Sequence, residues 1–264
     1  MKCNDKSVTY LKSEGYNVVR LPRADIRPLQ VLIKKSGSFE TLGSIDSVLI
    51  AGNNKSLPKI KRDESVAGIS GKKTSDMSAG VALSILGNII SAMGGNLGID
   101  AQYSSAKTIN FEFQDVKSDS VNIVELDLYL NDADIDPLSK QVRELLESDD
   151  IYIITSIIKS NIISVEGTKK DSSRLKLDIP LIKEVLGGKI NIETNGDIES
   201  KIAYRGENTL VFGFKALRLI YENGKYSAFE KASEGTPLSI EEPEWIERGT
   251  VNWLSAQENL VQFQ

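Results

Sequence analysis

The sequence predicts an α+β fold in which peripheral helices flank a twisted, mostly antiparallel central sheet and a short C-terminal peptide docks on the body. Three observations predict it. Apolar and polar residues alternate with a period of two in several segments, as they do in strands with one buried face. One long uncharged run has its apolar residues at helical spacing, and a last apolar peptide follows a segment rich in Glu, Ser, Gly and Pro.

Composition excludes several classes of function. The chain has 264 residues, of which 40% are apolar, so it can bury a substantial core, and its net charge of −5 argues against a general nucleic-acid binder. It contains no histidine, which removes Ser-His-Asp triads and His-containing zinc sites. With one cysteine there is no intramolecular disulfide, and the first six residues contain no apolar stretch typical of a signal peptide.

The N-terminal part predicts a helix, three strands and a loop. Cys3 precedes a short helix that Asp5 can cap and Gly15 can end. The β-branched segments 17–21 and 29–33, separated by prolines, predict two strands joined by a fixed turn, and residues 47–50 predict a third strand. The basic, polar stretch 54–73 predicts a solvated loop.

The uncharged run from Met77 to Ile99 predicts a helix. Its apolar residues recur four apart, and Gly94 with Gly95 forms a suitable C-terminal stop. Three interpretations stay open: a core helix, a membrane-spanning helix, or a segment that unrolls at a membrane. Interruptions such as Gly80 and Gly87 argue against a permanent membrane span.

Alternating segments follow this run. Ile109, Phe111 and Phe113 define one predicted strand, and Val124 to Leu130 define a second, each with one apolar face. The near-continuous apolar run 151–158 predicts a central strand buried on both faces, and similar alternation returns between residues 175 and 221. The pattern suits both a half-buried sheet and membrane strands of about 9–11 residues, so it does not separate the two.

The end of the chain combines an exposed linker with an apolar peptide. Residues 231–243 are rich in Glu, Ser, Gly and Pro, which predicts a linker. Trp253, Leu254, Leu260 and Phe263 follow within a few residues of the end. Because large exposed apolar patches are uncommon, we expect these four side chains to dock on the body.

Taken together, these features resemble the bacterial gasdermins. The resemblance rests on Cys3 before a short helix, on the Gly15 to Pro22 opening, on two blocks of amphipathic strands beside small helices, and on the short apolar C-terminal peptide. It implies a pore-forming body at residues 1–234, an exposed protease-sensitive linker at 235–248, and an autoinhibitory peptide at 249–264.

The resemblance also implies a function. The resembling family implies a cytoplasmic pore-former and not an enzyme. At rest the protein would be an autoinhibited monomer that carries a covalent palmitoyl group on Cys3 and no other cofactor. A caspase-like or trypsin-like protease would cut the linker, for which Arg248-Gly249 is the favoured bond. The freed body would then bind membrane lipids, homo-oligomerise in the inner membrane as a large β-barrel, and kill the cell as a defence against phage. The strand residues expected to face the membrane are Ile109, Phe111, Phe113, Val124, Leu126, Leu175, Leu177, Ile190, Ile192, Ile198 and Ile202.

Two other classes of function stay open. A soluble lipid-binding module could use the apolar tail to close a groove, and it would bind lipid without permeabilising vesicles. An enzyme could use Asp132, Asp134 and Asp136, with a hard metal ion such as calcium or magnesium. Clustered acidic residues are typical of a solvated turn, so the sequence favours the two non-enzymatic classes.

Overall fold

The structure is a computed structural model. It describes residues 11, 15–35, 38–52, 56–67, 69–70, 77–94, 103, 105–135, 144–145, 151–169, 175, 190–194, 201–222, 225–230 and 260–261. Most of the described residues lie in strands that pair antiparallel wherever their register is defined, and helices accompany them. The predicted α+β class is therefore confirmed.

The elements follow one another along the chain with these bounds. The strands are β1 (Asn17–Arg23), β2 (Gln30–Lys35), β3 (Ser38–Ser44), β4 (Leu49–Ile50), β5 (Ile60–Ser65), β6 (Met77–Ser78), β7 (Thr108–Gln114), β8 (Lys117–Val121), β9 (Asp134–Ile135), β10 (Ile151–Thr168), β11 (Ile190–Thr194), β12 (Lys201–Glu222), β13 (Lys225–Glu230) and β14 (Leu260–Val261). The helices with described bounds are α1 (Ile45–Val48), α2 (Ala79–Ala92) and α3 (Ile123–Asp132).

The chain divides into two compact units, each with its own apolar core. The first unit comprises residues 1–25, 64–118 and 158–213, and the second comprises residues 26–63, 119–157 and 214–264. The long strands β10 and β12 contribute residues to both units.

In the first unit, helix α2 packs into the core. Leu86, Ile89, Ile90 and Met93 are buried, in a cluster that also contains residues of β7, β10 and β12. A Cβ added at Gly206 would lie 2.9 Å from Met93 Cβ, so only glycine fits beside the end of α2 without a shift. The uncharged run therefore forms a core helix over Ala79–Ala92, and Gly94, at φ +95°, lies just beyond its end.

In the second unit, a strained turn leads into the β2–β3 hairpin. Leu29 is buried and has φ +68°, a conformation that is unusual for a leucine. Its backbone N–H donates to the Ile154 carbonyl at 2.8 Å, and its carbonyl accepts from the Ile45 N–H at 2.9 Å. Both peptide groups are thus fixed. The predicted second strand begins one residue later than expected, because Leu29 lies in the turn and β2 starts at Gln30.

Two early predictions are wrong in part. Residues 47–50 form a strand only at Leu49–Ile50, because Ile45–Val48 is a short helix whose Ile45 and Val48 are buried. The stretch 54–73 is not a loop throughout, because residues 60–65 form β5, whose backbone pairs with β8. A strand held mainly by backbone bonds gives no apolar pattern in the sequence.

The predicted strand from Val124 to Leu130 is also wrong, because this segment forms α3. The Asn122 side chain caps the helix by accepting from the backbone N–H groups of Val124 at 2.9 Å and Glu125 at 3.4 Å. Leu126 and Leu130 are buried four residues apart, at helical spacing. The Asn122 cap and the buried helical face of Leu126 and Leu130 therefore favour a helix over a strand in this segment.

Within the described ranges, no helix has both the length and the apolar content needed to cross a membrane.

Candidate functional site

The predicted strand at residues 109–113 is confirmed as β7, and it pairs antiparallel with the second half of β10. Ile109 lies opposite Gly167, Phe111 opposite Val165, and Phe113 opposite Ile163. The residues between them form the other face of the same two strands. The two strands therefore present one apolar and one polar face.

The apolar face of β7 packs into the core of the first unit. Phe113 stacks on Phe212 of β12, with ring centroids 3.7 Å apart and planes 7° apart. Phe111 meets Phe113 edge to face, with centroids 6.2 Å apart. Such aromatic pairs add to the free energy gained by burial, so this face is firmly held at rest.

The polar face of β7 is half-buried except at Glu112, which is buried and forms an ion pair. The Lys201 ammonium donates to Glu112 Oε1 at 2.5 Å, and Gln114 Nε2 donates to the same oxygen at 3.1 Å. Glu112 is only 5% exposed, and the Oγ of Ser164 opposite it is buried without a hydrogen-bond partner among the described residues. Alternation suggests a solvated face here, so sequence reasoning missed this pair, which joins residues 89 apart along the chain.

A buried tyrosine pair lies in the same core. The hydroxyls of Tyr103 and Tyr204 are 3.0 Å apart, and both side chains are fully buried. Burial raises the pKa of Tyr204 to about 12, against a smaller lowering by the hydrogen bond from Tyr103. Burial, and then the charge of Tyr204, raise the pKa of Tyr103 well above its usual value. Both groups are therefore neutral at physiological pH.

Strand β11 pairs antiparallel with the first part of β12. Ile190 lies opposite Gly206, Ile192 opposite Tyr204, and Thr194 opposite Ile202. The predicted strand at residues 190–192 is thus confirmed, and Ile202 is buried in the core that also contains Phe111 and Phe113.

The other predicted site residues fall into four groups. Leu175 is buried in the core of the first unit, whereas Val124 and Leu126 lie on α3 and not on a strand. Leu260 belongs to β14, which lies close to β3 within the second unit. The remaining site residues lie outside the described part of the chain: Cys3, Leu177, Ile198, Arg248, Gly249, Trp253, Leu254 and Phe263.

The acidic cluster considered for a metal is divided by the fold. Asp132 ends α3, Asp134 begins β9, and Asp136 is outside the described residues. Across the described ranges, no three His, Cys, Asp or Glu side chains are grouped closely enough to hold a metal ion.

Comparisons with known proteins identify the family. The model of the Bacterial Gasdermin Family matches residues 19–225. A gasdermin bGSDM from a Desulfuromonadales bacterium is 49% identical over 237 residues, which cover 89% of each chain. One from a Vitiosangium strain is 40% identical over 242 residues, which cover 90% of each chain.

A solved structure of a bacterial gasdermin from Bradyrhizobium tropiciagri has the same fold. Its TM-score is 0.61 at 18% sequence identity, and the match covers 86% of this chain and 91% of that one. The chain belongs to the bacterial gasdermin family, as its sequence indicated.

Family membership defines the broad class of activity. Gasdermins are pore-forming effectors and not enzymes, so the prediction of a non-enzymatic protein is confirmed. The family forms homo-oligomeric pores in membranes, which makes membrane lipids and further copies of the chain its partners.

Proposed function

We propose that this chain is a cytoplasmic pore-former kept inactive by its own C-terminal peptide. A caspase-like or trypsin-like protease cuts the linker 235–248, at Arg248-Gly249 or nearby, and the peptide 249–264 dissociates. The body, residues 1–234, then assembles in the inner membrane as a large β-barrel and kills the cell in defence against phage.

The observation that carries this proposal is the two-faced pairing of β7 with β10. Ile109, Phe111 and Phe113 form one apolar face, while Asn110 and Glu112 alternate with them. A membrane strand needs an apolar lipid face and a polar lumen face with this period. In the resting protein both faces are occupied by other parts of the first unit, so insertion requires them to be uncovered.

The position of β14 supports inhibition by the C-terminal peptide. Leu260 and Val261 lie close to β3, so the end of the chain returns to the second unit. While the linker is intact, the peptide rebinds at high effective concentration, and after a cut it is lost by dilution. A single broken peptide bond can therefore act as the switch.

Lipidation of Cys3 belongs to the same proposal. Lys2 and Lys6 favour the thiolate, which is the form that reacts with an acyl donor. One acyl chain binds a membrane only weakly, so the palmitoyl group would assist the body and not anchor it alone.

Cleavage and dye release from liposomes test the function directly. A foreign protease site placed within residues 235–248 should give a protein that is inert when intact and that releases dye after the cut. A scrambled site of the same length is the matched control. Complete cleavage without release would contradict the proposal, and binding without release would support the lipid-binding module instead.

Replacing two tail side chains tests the inhibition. Trp253→Ala with Phe263→Ala removes two apolar groups that would each contribute about 1.5–3 kcal/mol if fully buried. The double variant should release dye without any cut. If it stays inert while its cleaved form is active, these side chains do not hold the peptide.

Mass spectrometry tests the lipid. The intact protein expressed in bacteria should carry a palmitoyl mass that hydroxylamine removes, and Cys3→Ser should lack it. Detection of the unmodified mass alone would rule out lipidation. Cleaved Cys3→Ser should also release dye more slowly than the cleaved parent.

The strand faces need a gentler probe than a charge, because Ile109 is fully buried at rest and an arginine there would unfold the resting protein. We therefore choose Phe111→Trp on the apolar face and Gln114→Trp on the polar face, each in a Trp245→Phe background and studied after removal of the tail. Lipids with brominated acyl chains should quench Trp at 111 but not at 114. Equal quenching would contradict the assigned faces.

A further inference from the structure

A small cavity lies on the polar side of the β7–β10 pair, within the first unit. Its volume is about 10 Å³, which is close to the space that one water molecule needs. The residues that line it come from three strands: Asn110, Phe111 and Glu112 of β7, Ser164 and Glu166 of β10, and Lys201 of β12. Most of the lining is polar, so the cavity differs in kind from a packing gap in the apolar core.

The register of the two strands explains why polar side chains meet here. Ser164 lies opposite Glu112, and Glu166 lies opposite Asn110. Residues directly opposite each other on antiparallel strands share a face, with their Cβ atoms about 4.5–5.5 Å apart. Two neighbouring cross-strand pairs therefore place a hydroxyl, an amide and two carboxylates around one point.

The hydroxyl of Ser164 indicates that something binds in this cavity. Ser164 is only 2% exposed, and its Oγ has no hydrogen-bond partner among the described residues. A buried hydroxyl that stays unpaired destabilises the fold, so such groups are nearly always paired. Ser160, one turn of the pleat away on the same strand, shows the usual case, because its Oγ donates to the Gln114 carbonyl at 2.6 Å.

The charges around the cavity select the kind of ligand. The Lys201 ammonium lies 2.5 Å from Glu112 Oε1, and its side chain is 23% exposed. A cation in the cavity would be repelled by Lys201, and an anion would be repelled by Glu112 and Glu166. An ammonium only donates and a carboxylate only accepts, whereas a water molecule does both. A single neutral water therefore fits the lining better than an ion of either sign.

We propose that this cavity holds one ordered water molecule, which accepts a hydrogen bond from the Ser164 hydroxyl and donates one to the Glu112 carboxylate. Glu112 in turn is paired with Lys201, so side chains of β7, β10 and β12 share one polar network. This inference concerns the resting chain and does not depend on the proposed function.

A high-resolution crystal structure of the intact chain tests the occupant directly. It should show one density peak within about 2.7–3.2 Å of both Ser164 Oγ and a carboxylate oxygen of Glu112, as a hydrogen-bonded water requires. A metal ion would instead show contacts of about 2.3–2.6 Å to oxygen atoms alone. A direct hydrogen bond from Ser164 to another protein group, with no peak, would show that the cavity holds nothing.

The stability of Ser164→Ala tests the same point in solution, because the two cases differ in sign. If the hydroxyl is paired with water, its removal should lower the folding equilibrium constant about fivefold, as for the loss of one hydrogen bond. If the hydroxyl is unpaired, its removal should raise that constant. Urea denaturation of the intact parent and variant measures the difference.

A second background shows whether the effect passes through the charged pair. Glu112→Met with Lys201→Met replaces both charged groups by apolar side chains of similar length, which deprives the water of its carboxylate partner. Ser164→Ala should then change the folding equilibrium constant less than twofold. Ser156→Ala is the matched control, because Ser156 is also buried but lies eight residues away on β10, about 26 Å along the strand. It should have the same effect in both backgrounds.

Four results would overturn the proposal. They are a crystal structure without a peak beside Ser164 Oγ, a peak with the short contacts of a metal ion, a Ser164→Ala variant at least as stable as the parent, and a Ser164→Ala loss of equal size in the two backgrounds.

Discussion

Strand β7 and helix α3 have the same alternation of apolar and polar residues in the sequence but fold differently. In β7, Ile109, Phe111 and Phe113 all face the core. In α3 the corresponding residues are divided, with Leu126 fully buried and Leu128 half exposed. Alternation predicts that apolar side chains are buried and charged side chains are exposed, and each segment breaks one half of this rule. Strand β7 buries the charged Glu112, whereas α3 exposes aliphatic side chains.

The difference shows what alternation leaves undetermined. β7 has β10 beside it along its whole length, so its backbone groups are paired across strands. The α3 segment instead starts at Asn122, whose side chain accepts from two backbone N–H groups that a helix leaves unpaired. The Asn122 cap, which is local in sequence, favours the helix at α3, whereas pairing with the distant strand β10 favours the strand at β7.

The largest expected effect concerns the buried charge of β7. Lys201→Met leaves the Glu112 carboxylate without its cation and should lower the free energy of unfolding by about 3–5 kcal/mol, measured by urea denaturation. Lys201→Met combined with Glu112→Gln should recover most of this loss. A single variant as stable as the parent would show that this polar face is solvated after all.

The next effect separates helix from strand in the second segment. Leu126→Ala should cost about 2–5 kcal/mol because it leaves a cavity, whereas Leu128→Ala should cost only about 0.5 kcal/mol. A strand with Val124, Leu126, Leu128 and Leu130 on one face would make the two losses similar. Thermal and urea unfolding of the two variants side by side distinguishes these outcomes.

Alkaline pH tests the core that holds β7. The pKa of Tyr204 is about 12 in the folded chain and about 10 when unfolded, so the unfolded chain loses this proton first as pH rises. The stability from this group is complete below pH 10 and falls between pH 10 and 12, by about 1.4 kcal/mol per pH unit. Tyr103, whose pKa is also raised by burial, adds to the fall in this range, so Tyr204→Phe should make the slope less steep without removing it. An unchanged slope would contradict the burial of the Tyr204 hydroxyl.

The smallest effect concerns the cap of α3. Asn122→Ala removes the acceptor for two backbone N–H groups and should lower the free energy of unfolding by about 1 kcal/mol. Asn122→Asp keeps an acceptor and should be close to neutral. If alanine and aspartate behave alike, the cap is not what fixes the helix.

Sequence reasoning succeeded where a local pattern is sufficient. Helix α2 and strands β1, β2 and β7 follow from the spacing of their apolar residues and from neighbouring Gly and Pro. The central strand at 151–158 was also predicted, although β10 continues to Thr168. The family followed from the order of such elements, because order is visible without contacts.

The remainder depends on contacts between distant residues. The side chains of β5 are mostly exposed, so this strand has no apolar period, and only its pairing with β8 defines it. Glu112 and Lys201 meet because β7 and the start of β12 are brought together, which no spacing along the chain reveals. The helix at α3 depends on the cap at Asn122. Asparagine is also common in turns and loops, so its presence in the sequence does not by itself predict a helix start.

The lengths of β10 and β12 have a consequence for the conformational entropy of insertion. These strands have 18 and 22 residues, about twice the 9–11 that cross a bilayer. Ordering the backbone of a free residue costs about 1–2 kcal/mol, but residues already extended in the resting sheet have lost that freedom before they meet lipid. For the proposed pore, the free-energy barrier would then arise from separating packed faces and not from building strands.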